Sequence, residues 1–175
     1  MPDAFKGAVV ALGNFDGVHR GHQALIGEAR RLAVERSAPL GIVAFEPHPQ
    51  EFFRPGSENF RLTPFRTKAR LIAEMGTDVM YALAFDAGMA KKSAQEFVID
   101  VLVDGLGVGH VVVGADFQFG KGRAGNTTVL SYMGEMEGFG VTLFEPVAVG
   151  TAKISSTDIR KALKTGRPEV AARLL

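Results

Sequence analysis

Two histidines three residues apart, His19 and His22, sit in a glycine-rich stretch: Val9-Val10-Ala11-Leu12-Gly13-Asn14-Phe15-Asp16-Gly17-Val18-His19-Arg20-Gly21-His22. The apolar run at its start reads as a buried strand. Gly13 and Gly17 interrupt it, and a helical pattern begins just beyond. A helix start offers unpaired N–H groups and the positive end of the helix dipole, which favour phosphate. His19, Arg20 and His22 add donors at that place, so the chemistry implied is the handling of a polyphosphate. A spacing of three puts both histidines on one face of a first helical turn. Gly21 between them lets a flat ring approach the backbone. The stretch is neither a dinucleotide fingerprint nor a P-loop, which would need Gly-Lys-Ser/Thr. Two blander readings remain open: a histidine pair on zinc, for which no third ligand lies nearby, and a glycine turn with surface histidines.

The elements that must position these residues follow from hydrophobic periodicity. Strands are expected at 8–12, 40–45, 79–85, 111–113 and 141–144, with helical patterns between them. The first helix is expected at 21–35, with Leu25, Ala29, Leu32 and Ala33 as its apolar stripe. Thr63-Pro64 reads as N-cap and first residue of a helix ending at Gly76. Ser93 and Glu96 have the spacing of a capping box, and Asn126 reads as the cap of a helix ending near Gly138. Ser155 announces another helix start, and Pro168 opens a last helix. Its apolar end, Leu174-Leu175, reads as a tail that packs back or as a chain cut at a domain boundary. Alternating strands and helices predict an α/β chain: one Rossmann-like, doubly wound parallel sheet of about five strands, helices on both faces, residues 1–175 forming one domain.

In open sheets of this kind, ligands sit outside the carboxyl ends of the strands. Four segments fall there: the glycine turn, a loop holding Pro47, His48, Pro49, Phe52 and Phe53, a loop from Gly114 to Gly125, and the turn from Ile154 to Arg160. Their convergence is stronger than any one motif. His110, at the start of a strand, reads as structural. Glu28, Arg30, Arg31 and Glu35 read as a solvated helix face. For any single phenylalanine the core is the first expectation.

Composition narrows the class. A chain of 175 residues that is 46% hydrophobic can bury a full core. A net charge of +1 gives no basic face for nucleic acid. Cysteine is absent, which excludes disulfides and thiolate metal sites and suits a reducing, cytoplasmic setting. No apolar run approaches the roughly 20 residues needed to span a bilayer. No membrane partner is therefore expected.

Read together, four ordered motifs resemble a known family. Gly-Asn-Phe-Asp-Gly-Val-His-x-Gly-His at 13–22 resembles the opening motif of bacterial FAD synthetases, the bifunctional riboflavin kinase/FMN adenylyltransferases of the His-x-Gly-His nucleotidyltransferase superfamily. Phe45-Glu46-Pro47-His48-Pro49 resembles their Pro-His-Pro loop. Leu62-Thr63 with Lys68, then Gly114-x-Asp116-Phe117-x-Phe119-Gly120, follow in the family's order. Ile154-Ser155-Ser156-Thr157-x-Ile159-Arg160 resembles the second nucleotide signature. Ala44 departs from the threonine expected before the phenylalanine.

The resemblance implies a nucleotidyltransferase fold and the reaction ATP + FMN → FAD + pyrophosphate, in line and without a covalent intermediate. It implies catalytic roles for His19, His22 and Arg160. Nucleotide binding falls to Gly13, Asn14, Phe15, Asp16, Gly17, Gly21, Ser155 and Ser156. Flavin binding falls to Pro47, His48, Pro49, Asp116 and Phe117, with Phe52-Phe53 as added apolar surface. For Asp16 the organisation of the glycine turn is the favoured role. Lys121 and Arg123 read either as phosphate contacts or as an ordinary solvated loop. Magnesium is expected with ATP, held mostly by phosphate oxygens and water, and no dedicated metal cage is expected from the protein. The family's riboflavin kinase module is not expected within this chain. Alternatives are a related transferase with another phosphate acceptor, or a flavin- or nucleotide-binding module without catalysis.

Overall fold

The computed structural model describes residues 3–56, 61–145, 148–149 and 152–175. Five strands form one parallel sheet: β1 (Val9–Leu12), β2 (Leu40–Glu46), β3 (Val79–Ala84), β4 (His110–Gly114) and β7 (Gly140–Phe144), in the order β3-β2-β1-β4-β7. Val9 is in register with Leu40 on one side and His110 on the other. The chain winds from β1 through β2 to β3, then crosses to β4 on the other side of β1. The carboxyl ends of β1 and β4 therefore flank the point where the winding reverses, which is the place such sheets bind ligands.

Each central strand is buried on both faces, and its side chains alternate between two cores. Val9 and Ala11 of β1, Ile42 and Ala44 of β2 and Val112 of β4 meet α1 (Arg20–Arg36) and α3 (Phe65–Glu74) through Leu25, Ile26, Ala29, Leu32 and Ile72. Val10, Leu12, Val43, Val111 and Val113 meet the other layer, which contains Phe97, Val98, Leu102 and Leu130. The strands therefore read as unbroken apolar runs, because a parallel sheet covered on both faces has no polar side. The doubly wound expectation holds.

The second layer contains a short α4 (Ala87–Lys91), the turn α5 (Ala94–Glu96), a π-helical segment (Phe97–Val103) and α6 (Thr127–Glu137). The Ser93/Glu96 capping box is formed as expected. In the π-helical stretch the chain bonds five residues back, as from the Asp104 N–H to the Ile99 carbonyl at 2.9 Å. Helix α4 escapes sequence reading because it is only one turn; the Asp86 carboxylate caps it by accepting the Met89 N–H at 2.8 Å.

Three local expectations are corrected. Thr63 does not cap α3: Pro64 occupies the cap position without a side-chain bond, and the Thr63 hydroxyl is used elsewhere. The expected loop after β2 contains a short helix, α2 (Pro49–Phe53). His48 caps it by accepting the Gln50 N–H, and Pro49 sits in its first turn, where a missing N–H costs nothing. The loop from Gly114 to Gly125 contains a two-stranded ribbon, β5 (Gln118–Phe119) with β6 (Gly125–Asn126). A second ribbon pairs β8 (Ala148–Val149) with β9 (Ala152–Lys153). Two helices, α7 (Ser156–Lys164) and α8 (Pro168–Leu174), close the chain and share a small core of Ile159, Ala162 and Ala171. The apolar tail packs back: Val170 and Leu174 join that core, and the Leu175 carbonyl accepts a hydrogen bond from Gln23 Nε2 at 2.8 Å.

Candidate active site

The glycine turn between β1 and α1 is built against local preference. Phe15 and Val18 hold φ of 53° and 41°, a region side chains rarely adopt, and Gly17 holds 86°. Burial secures the strained residues: the Phe15 ring lies in the core, 5.2 Å from that of His22. Gly13 extends the sheet by donating to the Val43 carbonyl at 3.1 Å. Asn14 presents its carbonyl to Lys68 Nζ at 3.4 Å. Gly13, Asn14, Phe15, Asp16 and Gly17 thus form the turn itself and lie outside the lining of the adjacent cleft.

His19 is the N-cap of α1. Its Nδ1 accepts the His22 N–H at 3.3 Å, which leaves the ring proton on Nε2. The two imidazoles stack, centroids 3.6 Å apart and 17° from parallel. Gly21 permits this packing, since a Cβ there would stand 3.2 Å from the His19 ring and 3.6 Å from the Ile154 carbonyl. Burial lowers the pKa of His19 to about 4, against a smaller raising effect of the Asp16 carboxylate. Burial also lowers that of His22, helped by the charges of His19 and Lys68. Both rings are neutral at pH 7. His22 Nδ1 is buried without a hydrogen-bond partner. Stacked and neutral, the two imidazoles stand at the helix start as hydrogen-bonding groups.

A cleft of about 270 Å³ opens beside them. It is lined by His19, Gly21 and His22 from the glycine turn and first turn of α1, Gly114 at the end of β4 and Asp116 just beyond it, and Ser155 and Ser156 at the start of α7. Leu25, Phe144 and Ile154 supply an apolar wall. The sequence assigns neither Leu25 nor Phe144 to the site, and Ile154 only as the first residue of the second signature. The only signal for Phe144 is its position at the carboxyl end of a strand. Ser155 caps α7 by accepting the Asp158 N–H at 3.2 Å, and Ser156 Oγ donates to the Asp16 carbonyl at 2.8 Å. Two helix starts, of α1 and α7, thereby meet at one cleft, with backbone donors from each.

Arg160 lies outside that lining. Its guanidinium is paired with the Asp16 carboxylate, and both side chains are nearly inaccessible. It follows Ser156 by four residues on α7, so the two share a helical face.

The residues expected at the flavin divide between two places. Pro47, His48 and Pro49 lie beyond β2 and begin α2, where Phe52 and Phe53 are 37% and 62% exposed and pack edge-to-face with Phe85. Burial lowers the pKa of His48, opposed by the nearby Asp16 carboxylate. Asp116 and Phe117 lie beyond β4, and Phe117 stacks on Phe119 with centroids 5.5 Å apart. Arg123 donates through Nε to Gln118 Oε1 at 2.7 Å within its own ribbon.

Sequence reading assigns no role to a second charged group near the turn. Lys68 from α3 is 4% exposed, with Nζ 3.6 Å from Glu46 Oε2. Arg61 holds Glu46 at 2.6 Å and Glu51 at 2.6 Å, which ties β2 to α2. A lysine in a helix is ordinarily solvated; the sequence marks this one only as a member of the Leu62-Thr63 motif, and its burial comes from its tertiary position. His110, by contrast, is structural as expected: at the opposite end of the sheet its Nε2 lies 2.8 Å from Thr142 Oγ1. Among the described residues no group of three or more His, Asp or Glu side chains is arranged to hold a metal ion. Also among them, no helix is long and apolar enough to cross a membrane.

Comparison with known proteins fits this geometry. A family model described as FAD synthetase matches residues 1–158. The bifunctional riboflavin kinase/FMN adenylyltransferase of Pseudomonas fluorescens is 44% identical over 170 residues, covering 97% of this chain and 54% of that protein. Proteins of the same name from Escherichia coli K12 and Bacillus subtilis 168 are 40% and 39% identical, with 54% and 53% of each covered. The chain thus spans about half the length of these relatives. A crystal structure described as a macrolide-efflux protein from Streptococcus pneumoniae superposes with a TM-score of 0.87 at 28% identity, covering 99% of this chain and 55% of that one. With the family model matching most of its length, this chain belongs to the FAD synthetase family.

Proposed function

We propose that this chain, as one domain, transfers AMP from ATP to FMN, giving FAD and pyrophosphate. One observation carries the reading: His19, His22, Ser155, Ser156 and Asp116 surround one cleft at the winding reversal of a parallel sheet, where two helix starts meet. An oxygen of the FMN phosphate attacks the α-phosphorus of ATP. The bond from that phosphorus to the bridging oxygen breaks, and pyrophosphate leaves with the electron pair. Such a transfer asks a protein for positioning and for neutralisation of charge on phosphate oxygens. His19 and His22 act as neutral N–H donors to the α- and β-phosphates. Ser155, Ser156 and the start of α7 receive the leaving pyrophosphate, and Arg160 lends its positive charge from the same face of that helix.

The apolar wall of Leu25, Phe144 and Ile154 gives the nucleotide a surface to lie against. The flavin is received between α2, with Pro47, His48, Pro49 and the exposed Phe52 and Phe53, and the Asp116-Phe117 loop. A magnesium ion brought in on the triphosphate fits this donor set, because it keeps phosphate and water ligands and needs few from protein. Asp116, the carboxylate in the cleft lining, would contribute the protein's ligand to such an ion. When bound, such an ion offsets negative charge on the phosphates. The composition further supports a cytoplasmic setting.

The test is incubation with FMN and Mg-ATP, following pyrophosphate release and the loss of flavin fluorescence as FAD forms. FAD and pyrophosphate in equal amounts are expected. Pyrophosphate release with another acceptor but not with FMN would overturn the choice of substrate.

A further inference from the structure

Asp16 makes more bonds than a turn residue needs. One carboxylate oxygen accepts the Leu62 N–H at 3.0 Å, the Thr63 N–H at 3.0 Å and the Thr63 hydroxyl at 3.3 Å. The other lies 3.1 Å from the Leu62 nitrogen and pairs with Arg160 Nη2. Its backbone carbonyl accepts from Ser156 Oγ at 2.8 Å. Thr63 in turn accepts the Gly17 N–H at 3.0 Å. Asp16 thereby joins three segments distant in sequence: its own turn, the Leu62-Thr63 corner before α3, and the first turns of α7. The carboxylate is only 4% exposed. A buried charge is retained only with a partner and hydrogen bonds, and this one has both.

We infer that Asp16 is a positioning residue for pyrophosphate, acting through Arg160 and not by touching the nucleotide. This rests on the adenylyl-transfer reading above. A guanidinium is a rigid plane of five N–H donors, so a carboxylate held on one of its nitrogens fixes the orientation of the whole group. Asp16 also shares its turn with His19, so the same side chain sets the distance between the His19/His22 pair and α7. The leaving group is bound where those two meet.

The test is calorimetric binding of magnesium pyrophosphate to the wild-type chain, Asp16→Asn, Arg160→Ala and the double variant, with thermal unfolding of each. Asp16→Asn keeps an acceptor oxygen for the Leu62 and Thr63 amides and removes the charge facing Arg160. Weakening of about tenfold is expected, and the double variant should bind no worse than Arg160→Ala alone, since contacting residues couple by amounts of this order. Losses that multiply, or unchanged binding in Asp16→Asn, would overturn the inference. Should Asp16→Asn not fold, Thr63→Val removes a second member of the same cluster and should weaken pyrophosphate binding about threefold, with FMN binding unchanged. Equal weakening of both ligands would mean a merely structural role. An FAD assay on the same preparations separates the two readings, because a chain that makes no FAD still reports on pyrophosphate.

Discussion

His22→Ala separates catalysis from stability, because the two effects have different physical origins. In the folded protein His22 Nδ1 is buried without a partner, and an unsatisfied buried polar atom costs about 1–3 kcal/mol. Removing the ring removes that cost. It also removes a stack on His19 at 3.6 Å and a tilted contact with Phe15 at 5.2 Å, together about 1–2 kcal/mol beyond lost burial. These two terms nearly cancel, and the lost burial of the ring remains, so a net loss of about 1 kcal/mol is expected. For a chain of this size that is about 2–4 °C in Tm. Turnover has no such compensation. Loss of one donor to the phosphates should lower kcat for FAD synthesis by about 10²–10³, or roughly 3–4 kcal/mol of transition-state stabilisation. Stopped-time FAD formation at saturating FMN and Mg-ATP, beside a thermal melt, measures both. Turnover within threefold of wild type would refute the assignment, and a fall in Tm beyond 10 °C would refute the cancellation.

Three other expectations are independent of it. Burial holds the pKa values of His19, His22, His48 and His110 below the usual imidazole range, His19 at about 4. The unfolded chain therefore binds more protons below pH 6.5, and unfolding free energy should fall as pH drops from about 6.5 towards 4 while staying level just above 7; a urea series flat across pH 4.5–7.5 would contradict this. Lys68→Met leaves Glu46 held only by Arg61 and releases the Asn14 carbonyl, so a loss of about 2 kcal/mol is expected in the denaturant midpoint; an unchanged midpoint would place that ammonium outside the stabilising network. Gly140→Ala would put a Cβ 2.1 Å from His110 Nδ1, for a loss of about 3 kcal/mol or more. Adding His110→Ala should restore part of it, and a double variant no more stable than Gly140→Ala would show the clash lies elsewhere.

The architecture was legible because it depends on short-range regularities. Continuous apolar runs at 40–45 and 111–113 can only be strands buried on both faces. Ser93, Asn126 and Ser155 announce helix starts by bonds closed within three residues, and the structure contains all three caps. The His19/His22 pair could be placed at a helix start for the same local reason, and its convergence with Ser155 and Ser156 followed from the parallel topology. The four motifs, taken in order, carried the family.

Tertiary structure decided what depends on contacts across the chain. Thr63 looks like a helix cap, yet its hydroxyl serves Gly17 and Asp16 because the β1–α1 turn arrives beside it. Arg160 looks like a phosphate ligand, yet a carboxylate 144 residues away holds its guanidinium. Lys68 carries no sign in the sequence that α3 will bury it under the glycine turn. Helical and strand periods are written in near neighbours, whereas partners for buried charges are chosen by which loops the sheet brings to one edge. The sequence thus determined that two histidines stand at a helix start, at the edge of the sheet where the other loop motifs gather. Only the folded chain decided that His19 is buried and His22 half-buried, that both rings are neutral, and that Asp16 ties their turn to α7.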